Sequence, residues 1–143
     1  MRKSRSFTIM EMLIVIAILA ILYSIASASV TGMQDEARIA RTKGDLATLR
    51  LALDGYVKNY GRCPLEDNYQ RYLLTASPRI LDGNLMDMFA RSVNTPYSYG
   101  TSNNRKYYVV YSVGEKRTGR IYINEEGVIT KEGTAIFQTN GYF

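Results

Sequence analysis

The chain has 143 residues, a formal charge of +5 and no histidine. That length suits one small domain beside a membrane helix, and the missing imidazole removes Ser-His-Asp and Cys-His nucleophile pairs and the usual His-containing zinc sites. A lone cysteine, Cys63, excludes a disulfide within the chain.

Residues 1–6, Met-Arg-Lys-Ser-Arg-Ser, form a basic leader with charges at Arg2, Lys3 and Arg5. Residues 7–30 follow as an apolar segment, and from Met12 to Val30 it holds no charge, no Gly and no Pro. At about 1.5 Å of rise per residue these positions reach about 28 Å, close to the hydrocarbon thickness of a bilayer. Positive residues beside a span stay on the cytoplasmic side, so the C-terminal bulk is expected outside the cytoplasm. Glu11 is the one carboxylate in the segment, a helical turn beyond Phe7 on the same face. A carboxylate costs about 2.5–3.5 kcal/mol at the centre of a membrane helix and less near its end, so Glu11 is tolerable but seeks a cationic partner. Ala17, Ala20, Ser24 and Ser27 recur at helical spacing, and small side chains let helix backbones approach closely. The plainer reading is that Ala and Ser are common in membrane helices.

Residues 31–61 keep a helical period while becoming polar. Ile39, Leu46, Leu49, Leu53, Tyr56 or Val57, and Tyr60 mark one stripe, with most charges elsewhere. Gly61 and Pro64 are the expected stop. Gly44 and Gly55 each weaken the helix by up to about 1 kcal/mol relative to Ala, so packing must hold it. No breaker but Gly32 separates it from the apolar segment, which predicts one long helix. Residues 62–96 are a connecting region interrupted by Pro64, Pro78, Gly83 and Pro96, with one helical turn near 69–75. In residues 97–143 the period switches to strands near 97–99, 107–113, 120–124 and 128–130, rich in Tyr, Val and Ile. These predict an antiparallel meander of three or four strands, with the helix stripe over one face. The fold class is α+β, a long helix packed on a small antiparallel sheet.

The basic leader, Phe7, Thr8 and Glu11 before an apolar run resemble the class III leader of type IV pilins and type II secretion pseudopilins. The resemblance implies that a prepilin peptidase cuts between Ser6 and Phe7 and methylates the new amine of Phe7. Ser6 stands where the family normally has Gly. Residues 54–64 (DGYVKNYGRCP), 65–68 (LEDN), 95–99 (TPYSY) and 108–114 (YVVYSVG) look like the major pseudopilin of type II secretion, ungapped to about residue 64 and patchy to Gly114. Ala28 replaces a Pro that family members often carry, so a straighter helix is expected.

The resemblance implies a structural subunit of a filament. A new ammonium at Phe7 sits at a helix N-terminus, where the macrodipole favours a nearby anion. Glu11 of an adjacent subunit can neutralise that amine, so the two costs cancel when chains stack in register. The implied partners are further copies of the chain in a homopolymer, related minor pilins or pseudopilins, the prepilin peptidase, a membrane assembly platform with a separate ATPase, and the lipid bilayer. The implied location is single-pass in the cytoplasmic membrane, then a periplasmic or extracellular filament. A type II secretion pseudopilus is the first reading, a type IV or competence pilus the second. Loss of the leader leaves 15 basic against 13 acidic side chains, too near neutral for a dedicated nucleic-acid binder.

No catalytic residues, cofactor or metal are expected. Neither a G-x-G-x-x-G nor a G-x-x-x-x-G-K-[ST] loop occurs. Major pseudopilins usually bind calcium in an Asp-rich loop after the Tyr-Ser-x-Gly strand. Here residues 115–120 hold three cations and one carboxylate, which repel a cation wanting six to eight oxygen ligands. Lys116, Arg117 and Arg120 with Arg105 and Lys106, beside Tyr107 and Tyr108, could instead form a DNA-binding patch; the plainer reading is charged edge strands. Glu66 and Asp67 are adjacent loop carboxylates better read as a turn or cap than as a catalytic dyad. Cys63 reads as a small half-buried hydrophobe at the helix exit. A rival from another class takes Ala26-Ser27-Ala28 as a signal-peptidase site, which would release a soluble secreted binding module starting at Ser29. A third keeps an uncut anchor.

Overall fold

An unbroken apolar run followed by an apolar stripe becomes a single helix. The computed structural model describes residues 8–142, with α1 spanning Ile9–Tyr60. Two units divide the chain, Met1–Arg38 and Ile39–Phe143. In the first unit, residues 8–27 are exposed on every face of the helix. A helix that is apolar all round and uncovered needs lipid or like helices as its surroundings. The Ser27 hydroxyl donates to the Ser24 carbonyl at 3.0 Å, which satisfies a polar group within the helix.

In the second unit α1 buries one face. Thr42, Leu46, Leu49 and Leu53, at steps of four, three and four, are fully buried, with Ala52 beside them. Burial of each leucine is worth about 1.5–3 kcal/mol. The stripe differs from the expected one at both ends: Ile39 is only half-buried, and Tyr60 is 44% exposed, stacked on Tyr56 at 4.4 Å. Thr42, a polar residue, takes a core position instead. The helix stops where Gly61 turns to φ 73° and donates its N–H to the Val57 carbonyl at 2.7 Å. A short helix, α2 (Tyr69–Thr75), follows. Gln70 binds both the N–H and the C=O of Leu85, at 2.9 and 2.8 Å, and so ties α2 to the connecting region.

Five strands follow: β1 (Ser98–Thr101), β2 (Tyr108–Ser112), β3 (Arg120–Ile123), β4 (Ile129–Glu132) and β5 (Ile136–Thr139). They do not form the expected single meander. β2 lies between β1 and β5, both antiparallel, with Tyr99 opposite Val110 and Val110 opposite Gln138. β3 and β4 pair only with each other, Ile121 opposite Lys131. Both edges of β2 are taken, and the hairpin packs on the face of the sheet that carries Val109, where Ile121 and Ile129 bury their side chains.

β2 is consequently covered on two faces. Tyr108 and Val110 join the cluster of Leu46, Leu49, Leu53 and Leu73 on the α1 side. Val109 points the other way, into a second cluster with Ile121, Ile129 and Ala135. The head is helix, three-stranded sheet and hairpin in layers, where a helix on one sheet face had been expected.

Candidate functional site

The first turn of α1 closes on itself. Thr8 is the residue before the helix, and its N–H and hydroxyl donate to Glu11 Oε2 at 2.9 and 3.0 Å. The Glu11 N–H returns to Thr8 Oγ1 at 3.3 Å and to the Thr8 carbonyl at 3.1 Å. This is a capping box, which satisfies two N–H groups that the helix leaves without partners. It matters more in a membrane, where water cannot take them and each orphan costs several kcal/mol. Thr-x-x-Glu is itself a sequence signature of such a cap, and reading Glu11 only as a partner for a neighbour overlooks it. Both bonds from Thr8 land on Oε2, and among the described residues Oε1 accepts none. Glu11 can therefore hold its own helix and still offer an oxygen outward.

Ser6 and Phe7, where cleavage and methylation are expected, lie outside the described residues. Ala17, Ala20, Ser24 and Ser27 are all exposed. They share a helix face with no contact across it among the described residues.

The other candidate residues have structural employment in the head. Glu66 Oε1 accepts the Thr101 N–H at 3.0 Å, on the outer edge of β1, while Asn68 next to Asp67 takes φ 58° at the residue before α2 without a capping bond from its side chain. Arg105 sends Nε to the Cys63 carbonyl at 2.8 Å, joined there by Nη2, and accepts the Cys63 N–H at its own carbonyl at 2.9 Å. The five expected cations do not gather, because Arg105 and Lys106 precede β2 while Lys116, Arg117 and Arg120 follow it. Tyr108 is fully buried. The arrangement needed for phosphate contacts beside exposed aromatic rings is absent among the described residues. Cys63 is fully buried, not half-buried, and burial raises its thiol pKa, which keeps the less reactive thiol form.

Asp87 is the buried group that sequence reasoning missed. At 5% exposure its carboxylate accepts from the Ser112 hydroxyl at 2.6 Å and from the N–H groups of Phe89 and Val113, each at 3.0 Å. No local motif marks it, since two of its donors lie 25 and 26 residues away. It pins the connecting region to the end of β2. Tyr69, Tyr97 and Tyr108, which are buried, and Tyr99, which is half-buried, are phenols with raised pKa values, desolvation being the main cause in each.

Among the described residues no trio of His, Cys, Asp or Glu gathers that could hold a metal. The described residues present a capped apolar helix left uncovered and a head with a hydrophobic core of its own.

Comparison with known proteins points the same way. The family described as "Prokaryotic N-terminal methylation motif" matches residues 1–27. The chain is 32% identical over 76 residues to "Type II secretion system core protein G" of Klebsiella pneumoniae, which covers 53% of this chain and 54% of that protein. The chain thus spans about half the length of that relative. It is 26% identical over 120 residues to the protein of the same name from Pseudomonas aeruginosa, covering 79% of this chain and 84% of that one. No solved structure matches. With the methylation motif on its capped helix and the relatives' similarity extending into the head, the chain resembles the type IV pilin-like pseudopilins.

Proposed function

We propose that the chain is a structural subunit of a type II secretion pseudopilus, the assembly named in both relatives. Residues 7–30 hold it in the cytoplasmic membrane with the head outside the cytoplasm. Cleavage between Ser6 and Phe7 and methylation of Phe7 prepare it for polymerisation through α1. Within the fibre, burial of residues 12–30 against like helices replaces burial in lipid. Glu11 of one copy neutralises the Phe7 amine of the next and sets the register, while Ala17, Ala20, Ser24 and Ser27 allow close approach.

One observation carries this reading. The apolar half of α1 is uncovered on every side, yet its end is capped and the head has a complete core of its own. Such a helix is built to leave one apolar environment for another. N-terminal mass spectrometry of the membrane and fibre fractions tests it. N-methylated Phe7 is expected; a chain beginning at Ser29 identifies the secreted module, and one beginning at Met1 identifies an uncut anchor.

A further inference from the structure

The connecting region, the ends of β1 and β2, and the loop before β3 enclose a cleft of about 830 Å³. Arg91, Arg117 and Arg120 line it, with Glu132 the one carboxylate. Glu132 stands opposite Arg120 across the hairpin, so Arg91 and Arg117 are left without an opposing charge in the lining. Among the described residues none of the three guanidinium groups makes an ion pair or side-chain hydrogen bond. Three forked donors around one cleft suit carboxylates, which they can bind in pairs of parallel bonds.

The other end of the same hairpin is acidic. Glu125 and Glu126 occupy the turn between β3 and β4, and both are exposed. The turn is held rigid from several sides. Asn124 Oδ1 accepts the N–H groups of Glu126 and Val128 at 3.0 and 2.8 Å, and Asn104 Nδ2 donates to the Glu125 carbonyl at 2.9 Å. Asn103 Nδ2 donates to Glu125 Oε1 at 2.9 Å, whereas the Glu126 carboxylate has no partner among the described residues. A rigid acidic knob loses little freedom on docking.

We propose that the arginine cleft of one copy receives the Glu125 and Glu126 turn of a second copy, a head-to-head contact within the fibre. The two surfaces differ and sit at opposite ends of one hairpin, so the contact is heterologous and propagates as an open polymer instead of closing as a dimer. This rests on the subunit reading above. Exposed ion pairs are individually weak; the contact sets the register of the heads, while α1 supplies most of the cohesion.

The test is cysteine cross-linking in fibres assembled from the full chain. Ser92→Cys, in the cleft lining, and Val128→Cys, exposed beside the turn, leave all three arginines and both glutamates in place. The two ends of the hairpin are separated by strands of about 13 Å at about 3.3 Å per residue, too far for a bond within one copy, and Cys63 is buried. Oxidised fibres of the double variant should give a ladder of dimers, trimers and larger species, absent from either single variant. Adding Arg117→Glu should cut the ladder at least tenfold, and adding Glu126→Arg to that should restore it. Intact fibres without a ladder, dimers from a single variant, or a ladder indifferent to Arg117→Glu overturn the contact alone. An unsubstituted chain that forms no fibre overturns the subunit reading and the contact with it.

Discussion

Tyr108, at the start of β2, places its hydroxyl 2.5 Å from Oδ1 of Asp54 on α1 and also within 3.2 Å of the Arg50 carbonyl. The ring is fully buried and the hydroxyl emerges at the margin of the core, where Asp54 also lies 3.8 Å from Arg50. Tyr97, in the same cluster, repeats the device nearer the start of the head's part of α1 by donating to Asp45 at 3.0 Å. Each buried tyrosine thus fastens the sheet side of the core to the helix by its polar tip. Tyr108→Phe keeps the ring and removes the donor. It should cost about 1–2 kcal/mol, as expected for a hydrogen bond to a charged acceptor. Urea unfolding of the detergent-solubilised chain measures it, with Tyr122→Phe, at an exposed ring, expected to change nothing beyond about 0.5 kcal/mol.

Asp87 should be the more sensitive position. Asp87→Ala strips three donors of their acceptor at a site that water does not reach, and a loss of about 3–5 kcal/mol is expected for a disrupted buried charged network. Asp87→Asn retains one acceptor oxygen but turns an N–H₂ group toward a donor, so it should recover only part of the loss. Hydrogen exchange at the Val113 and Phe89 amides reports the same event locally. Protection there should fall before protection along residues 46–53 of α1 does.

Four desolvated phenols, Tyr69, Tyr97, Tyr108 and the half-buried Tyr99, fix the alkaline limit of the head. Burial raises their pKa values above the ordinary value of about 10. Between that value and their raised values the folded chain keeps protons that the unfolded chain has released. The unfolded state binds fewer protons, so stability falls as pH rises, by up to about 1.4 kcal/mol per pH unit for each phenol. Below pH 10 their contribution is fully present. With no histidine in the chain, the denaturation midpoint should be flat from about pH 6 to 8, begin to fall near pH 9 as the unfolded chain releases the proton that buried Cys63 keeps, and drop steeply above 10. A midpoint still flat at pH 11 contradicts this account. Tyr97→Phe combined with Tyr69→Phe should shallow the fall.

Gly114 closes β2 at φ 73°, and a Cβ there would run into the Thr134 carbonyl. Gly114→Ala therefore combines a left-handed conformation, itself worth about 1–2 kcal/mol, with a backbone collision. A loss of at least about 2 kcal/mol in the same unfolding experiment is expected. Gly83→Ala, where a Cβ meets nothing, should be close to neutral.

What could be read from residues alone divides along a physical line. The long helix was legible because its signals are local: an apolar run, a stripe through Leu46, Leu49 and Leu53, and Gly61 where a left-handed residue ends it. The single turn at Tyr69 to Thr75 showed in the same way. Strand partners are not local. Ile136 and Phe137 form β5, whose place beside β2 depends on a pairing across 24 residues at its nearest, Ser112 with Ile136. Nothing in their own neighbourhood announces it. The run at 108–110 looks like half of a simple hairpin, and only the finished fold shows that both its faces are buried. Thr42 and Asp87 were missed for a related reason: polar residues enter a core through partners or packing supplied by distant chain. The capping box was different, for Thr8 and Glu11 carried it openly.

That capping box separates two roles which substitution to alanine would confuse. Glu11→Ala removes the charge available to a neighbouring Phe7 amine and also the acceptor that holds the Thr8 N–H. Glu11→Gln removes the charge alone, because a glutamine at this position still completes a capping box. Thr8→Ala does the reverse: it keeps the carboxylate and loses the hydroxyl of the cap, at about 0.5–2 kcal/mol of helix stability. If the charge sets the register of the fibre, Glu11→Gln should lose fibres as completely as Glu11→Ala, while both still insert in the membrane and are still cut. Thr8→Ala should then assemble at a reduced yield that recovers on cooling. If Glu11 acts only as a cap, Glu11→Gln should match the unsubstituted chain and Thr8→Ala should resemble Glu11→Ala. Quantifying sheared fibres against the membrane pool for the three variants decides between them, and it does so without disturbing a single residue of the head.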